Sequence, residues 1–151
     1  MEHSYETREV LEGLAAVARS PFTKADTIPA VLYHSEEVYA LEMQRIFAKE
    51  WVCPGLSADI PNAGDFITFT VVNQPIFVMR GKDGVIRSFS NVCLHRMMPL
   101  LDGAGSCSGK IVCPYHAWTY NTEGRVIGAG HMGGRDPVFD KKQFTLPELR
   151  T

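Results

Sequence analysis

Two short segments carry residue types that bind soft metals: Cys93-Leu94-His95 and Cys113-Pro114-Tyr115-His116. Each supplies one thiolate and one imidazole, and residues 96–112 separate them. A Cys-x-His or Cys-x-x-His step lets both side chains leave one loop toward a common point. Two such loops brought together would present two sulfur and two nitrogen donors. That set suits tetrahedral Zn²⁺. It also suits a [2Fe–2S] cluster with two Cys on one iron and two His on the other. Zinc fingers usually keep Cys with Cys and His with His at short spacing, whereas each loop here mixes the two. In a binuclear site the mixture gives each iron one ligand from each loop, so the loops clamp the cluster from both sides.

Positioning such loops takes a rigid scaffold, and the sequence around them reads as short strands and turns. From Asp65, Ile67, Phe69 and Val71 alternate with Thr68, Thr70 and Val72, the period of a strand. Asn73-Gln74-Pro75 marks a turn, Ile76 to Arg80 a second strand, and Lys82-Asp83-Gly84 a turn into a third over Val85 to Phe89. Lys110 to Cys113 and Trp118 to Tyr120 are strand-like, with Asn121 to Gly124 turning into Arg125-Val126-Ile127. Each ligand segment falls where an expected strand opens into a loop. The spacing predicts a mainly β, compact antiparallel domain over 50–151.

Residues 1–49 read as a helical arm. Val10, Leu11, Leu14, Val17 and Ala18 share one helical face, and Ser20-Pro21 ends that helix. Residues 23–33 contain Pro29 and β-branched Thr27 and Ile28, which predicts an extended connector. Ser35 is an N-cap candidate followed by Glu36 and Glu37, where the helix dipole favours negative charge. Tyr39, Met43, Ile46 and Phe47 then line one face, and Trp51 is expected as a core anchor, with Cys53 a small core residue beside it.

Composition narrows the function classes. In 151 residues, 45% are hydrophobic and 21% charged, which is globular. Fifteen basic against seventeen acidic residues, with no basic tract, argue against nucleic acid. The longest apolar stretch, Val10 to Ala18, is too short for a bilayer and is broken by Glu12 and Gly13. The acidic start Met1-Glu2-His3 is no signal peptide. The expectation is therefore a cytoplasmic chain without membrane contact, whose four cysteines act as thiols or ligands before disulfides.

Cys93-Leu94-His95-Arg96 with Cys113-Pro114-Tyr115-His116-Ala117-Trp118 resembles the Rieske domain of the Rieske non-haem iron oxygenases, the α subunits of ring-hydroxylating dioxygenases and related monooxygenases. The likeness extends to Glu42 through Trp51, Ile60-Pro61, Gly64-Asp65, Asp83-Gly84, Ser90-Asn91-Val92 and Gly124, covering roughly Tyr33 to Leu149. It implies a Rieske [2Fe–2S] cluster with Cys93 and Cys113 on one iron and His95 and His116 on the other. Two positions depart from the family: Met97, where a small residue is common, and Ala117, where Gly is frequent. Rieske proteins of the respiratory and photosynthetic chains carry an extra Cys in each loop, joined as a disulfide. Here Met98 and Tyr115 stand there. Fewer hydrogen-bond donors around the cluster then place its potential toward the lower part of the Rieske range, about −150 to +300 mV. Cys107 reads as a free thiol, since four ligands complete the set. Trp118 reads either as a shield for the cluster or as plain core, and Arg96 either as paired with a partner carboxylate or as solvated. His34 and His131 read as isolated.

The resemblance implies one-electron transfer through the cluster to a mononuclear Fe(II), which activates O₂ to hydroxylate or demethylate a small organic substrate. Such iron is held by two His and one carboxylate. His3, His34 and His131 offer no such set, so no catalytic residue is assigned and that domain is expected to be absent from this chain. Residues 144–151 look like the strand approach to it, and the chain reads as the N-terminal part of an oxygenase. The implied partners are a ferredoxin or reductase as electron donor and, for the full-length protein, a homotrimer. Two other readings remain open: a stand-alone Rieske ferredoxin, against which the helical arm argues, and a zinc-stabilised interaction module.

Overall fold

The computed structural model describes residues 5–24, 26–130 and 139–151, so His3 and His131 lie outside the described residues. The chain divides into two units, Met1–Val52 and Cys53–Thr151.

In the first unit, helix α1 spans Tyr5–Arg19 and ends where Ser20 precedes Pro21. The expected extended connector is instead punctuated by two 3₁₀ turns, Phe22–Lys24 and Ala30–Tyr33. Pro29 explains the second: its fixed φ of −56° sits directly before the turn, where its missing N–H costs nothing. Helix α2, Glu36–Glu42, starts as expected, with the Ser35 hydroxyl accepting from the Val38 N–H at 3.4 Å. It continues as a π-helical turn over Met43–Phe47, closed by Ala48 N–H donating to Met43 O at 3.0 Å. That wider closure rotates the following residues away from the face that Val38 buries. Tyr39, ahead of that turn, and Ile46 and Phe47, within it, are exposed, not a packed stripe. Trp51 is 73% exposed and is no core anchor. Among the described residues no helix is long and apolar enough to cross a membrane.

The second unit is mainly antiparallel β. Strands β1 (Asp65–Val71), β2 (Gln74–Arg80), β3 (Ile86–Ser90), β4 (Ala104–Ser106) and β8 (Glu148–Leu149) form a five-stranded sheet in the order β4-β1-β2-β3-β8. Strands β5 (Lys110–Val112), β6 (Thr119–Asn121) and β7 (Val126–Gly128) form a second sheet of three. The β1–β2 hairpin turns at Val72-Asn73, one position before the expected Asn73-Gln74-Pro75. Val71 pairs with Gln74, and both central residues have positive φ, 48° and 63°. That left-handed pair matches the twist of the strands it joins. Residues 144–151 do not leave the domain. Leu146 is buried, and β8 pairs with β3 through Ser88–Leu149 and Phe89–Glu148.

Four consecutive residues of β2, Ile76 to Met79, are buried, because a central strand covered on both faces cannot alternate. Phe77 and Phe89 pair across β2 and β3 with ring centroids 5.5 Å apart. The core continues through Cys93, Leu100, Ile111, Cys113, Trp118, Tyr120, Val126 and Leu146. Gly124 joins the sheets: at φ 77° it brings its backbone against Phe89, where a Cβ would lie 2.7 Å from Cε1. Cys53, expected in the core, is exposed, its thiol donating to Gly55 O at 3.5 Å.

Candidate metal centre

Both ligand segments sit in loops leaving the strands: the first between β3 and β4, the second between β5 and β6. The two loops close in the same way. Met97 N–H donates to Cys93 O at 3.0 Å, and Cys93 N–H donates to Met98 O at 2.8 Å. In the second, Ala117 N–H donates to Cys113 O at 3.1 Å and Cys113 N–H to Trp118 O at 2.8 Å. Each therefore makes an i+4→i and an i→i+5 backbone bond around its cysteine. Each also needs a left-handed residue at the fifth position, Met97 at φ 56° and Ala117 at φ 55°. The two departures from the family pattern fall on these positions, which explains why a residue without a Cβ is favoured there.

Asn91 braces the return of the first loop. Its Oδ1 accepts from the N–H groups of Leu100 and Leu101 at 3.2 and 3.0 Å, and its Nδ2 donates to Leu101 O at 2.8 Å. A buried amide that makes three bonds at once fixes the loop ends rather than costing stability.

Each of the two loops carries one buried thiol and one half-buried imidazole. Cys93 and Cys113 are buried thiols, 1% and 3% exposed. The rings of His95 and His116 meet edge to face with centroids 4.8 Å apart, and Nδ1 of each is buried. His95 Nδ1 has no hydrogen-bond partner among the described residues. A buried polar atom left unpaired costs about 1–3 kcal/mol, and a bond to a metal removes that cost. The donor set, two sulfurs and two inward imidazole nitrogens, thus fits a Rieske cluster.

Side chains leaving the second loop grip the first. Trp118, buried, stacks on His95 at 5.2 Å with an interplanar angle of 4°, and meets Phe139 and Phe144 edge-on. It therefore serves both readings given for it, core and cover. Two residues on, Tyr120 is wholly buried. Its hydroxyl lies 3.2 Å from Cys93 Sγ and accepts from the Leu94 N–H at 3.0 Å. Burial, then the contact with Cys93, pushes its phenol above the ordinary tyrosine range. Tyr120 was missed in the sequence, although strand alternation places it on the same face as Trp118. Around the site, Arg96, Met97, Met98 and Tyr115 are exposed, as is His34 elsewhere. Cys107 is a half-buried free thiol packed on the core.

The model of the Rieske [2Fe–2S] domain matches residues 50–140. The chain is 40% identical over 124 residues to a carnitine monooxygenase oxygenase subunit of Acinetobacter baumannii, covering 82% of this chain and 33% of that one. A solved quaternary ammonium Rieske monooxygenase, described in terms of carnitine oxidation and inter-subunit electron transfer, superposes with a TM-score of 0.71. It is 38% identical and covers 81% of this chain and 33% of that one. Naphthalene 1,2-dioxygenase from Rhodococcus sp. gives a TM-score of 0.80 at 30% identity, over 96% of this chain and 32% of that one. The chain spans about a third of the length of these relatives.

Proposed function

Since the chain belongs to the Rieske [2Fe–2S] domain family, we propose that it carries single electrons within a Rieske-type oxygenase, an oxidoreductase acting on a small organic substrate with O₂. Cys93 and Cys113 would hold one iron, His95 and His116 the other. When bound, the cluster supplies a one-electron store. The protein's part is to shape its surroundings. The paired loop closures fix both sulfurs, Trp118 fixes the plane of His95, and the core behind Cys93 and Cys113 keeps water from the sulfur side. The half-buried histidines form the face nearest the surface, through which electrons enter and leave. The observation that carries this reading is the pair of equivalently closed loops, each with a buried thiol, whose two imidazole rings meet edge to face.

The oxygenase subunits among the relatives favour this reading over a free ferredoxin carrier. Zinc is disfavoured because each loop mixes one Cys with one His, whereas zinc fingers usually keep Cys with Cys and His with His at short spacing. A two-iron cluster divides its protein ligands into two pairs, while zinc needs them at one point. Carnitine in the names of relatives makes a quaternary ammonium the substrate class proposed for the whole protein, by hydroxylation or demethylation. A mononuclear Fe(II) would do that chemistry, a ferredoxin or reductase would supply electrons, and the assembly would be a cytoplasmic homotrimer.

Purified protein should hold two irons per chain and take up one electron. Cys93→Ser and Cys113→Ser should each lose iron and visible colour, because an alkoxide replaces thiolate poorly, while Cys107→Ser should keep both. Bleaching by Cys107→Ser with retention in Cys93→Ser would sink the ligand assignment.

A further inference from the structure

The two ligand loops close alike at their tips, but their stems are held by different means. The second loop, residues 113–118, is a hairpin tip: β5 runs into it, β6 leaves it, and Val112 pairs with Thr119 at its base. The first, residues 91–103, joins β3 to β4, which are not neighbours in their sheet. Its base has one isolated bridge, Val92–Pro99, in place of a ladder. Its return is tied to its start by the side chain of Asn91, bonded to Leu100 and Leu101. That residue is 4% exposed, and its N–H anchors it to β2 through Pro75 O at 2.8 Å. Farther along, the Tyr120 hydroxyl takes the Leu94 N–H at 3.0 Å, and Gly103 O takes the Thr68 N–H at 2.8 Å. Opening the second loop means unzipping a sheet, whereas opening the first means releasing contacts made largely to side chains. Local opening starts where least has to break.

We propose that the first ligand loop is the movable half of the site, opening to admit or release the cluster, and that Asn91 is the positioning residue that latches it. The inference rests on the Rieske reading. Under that reading each loop supplies one ligand to each iron. An open first loop thus frees Cys93 and His95, while Cys113 and His116 keep one hold on each metal. In oxidised protein no electron moves in that step. The two coordinate bonds break with their lone pairs left on sulfur and nitrogen, and water protonates the thiolate.

Amide hydrogen exchange of the cluster-loaded protein, read by mass spectrometry, tests the order of opening without a variant. Cys93, Met97, Leu100 and Leu101 should exchange as a group, with protection at least about tenfold below that of Cys113 and Ala117. Asn91→Ala should lower protection by about a further tenfold at Cys93 and Met97, whose own bonds the substitution does not touch. The same variant should bleach about tenfold faster in excess EDTA, with protection at Cys113 and Ala117 unchanged. A purely structural role would loosen both loops together. Should the alanine variant fail to load, exchange in the native protein decides: lower protection in the first loop supports the inference. Equal protection in the two loops, the second loop opening first, or unchanged bleaching in a loaded variant overturns it and leaves the Rieske reading intact. Native protein that binds no iron–sulfur cluster overturns both.

Discussion

Ala117 is held at φ 55° because the second loop must turn there to return Cys113 N–H to Trp118 O. A left-handed alanine costs about 1 kcal/mol that glycine does not. Ala117→Gly is therefore expected to stabilise the folded protein by about 1 kcal/mol in urea unfolding, with the cluster spectrum unchanged. A loss of stability would show that the methyl makes a contact worth more than the strain. At this scale the sequence was legible where chemistry constrains residue type. Cys93, His95, Cys113 and His116 stand out as candidate ligands by residue type and spacing. Tyr120 and Asn91 do not, because their roles arise from contacts with segments distant in the chain, Cys93 and Leu94 for the first. Trp51 and Cys53 are exposed although apolar type alone predicts burial, because nothing local in the sequence says whether a neighbour arrives to cover them.

Turns were the most legible of the elements. Lys82-Asp83-Gly84 forms the β2–β3 turn, with Gly84 at φ 78°. Asp83 accepts from the Val85 N–H at 3.1 Å and pairs with both terminal nitrogens of Arg87, at 3.0 and 2.7 Å. The Arg87 hydrogen bonds first, and the Val85 N–H second, hold the Asp83 carboxyl down at about 2 against the ordinary 3.8. A carboxylate whose folded value is depressed adds stability above its unfolded value and loses it as pH falls through the folded one. The excess stability of native protein over Asp83→Asn should thus be constant at neutral pH and shrink as pH falls from about 4 toward about 2. Urea midpoints across that window check it, and a gap that widens in acid would contradict it. The hairpin at Val72-Asn73 slipped by one residue from expectation because β-branched Val72 is an unusual occupant of a left-handed position. Short β4 and β8 were missed because two or three residues show no period, and their pairing partners, β1 and β3, lie far off in sequence. The π-helical turn at Met43–Phe47 leaves no pattern that a 3.6-residue period would detect.

For the molecule as a whole, alternation and turn chemistry were enough to predict a mainly antiparallel β domain presenting two loops. They did not predict how the two sheets meet, since that depends on single close approaches such as Gly124 on Phe89. The central claim is that those loops hold two chemically different irons, one between Cys93 and Cys113 and the other between His95 and His116. Mössbauer spectroscopy of the oxidised, ⁵⁷Fe-loaded protein tests it most directly, because an iron with nitrogen ligands experiences a different electric field from one ligated only by sulfur. The expected spectrum has two quadrupole doublets of equal area with distinct isomer shifts. A single doublet from two equivalent irons, or a colourless protein with zinc and no iron, would contradict it.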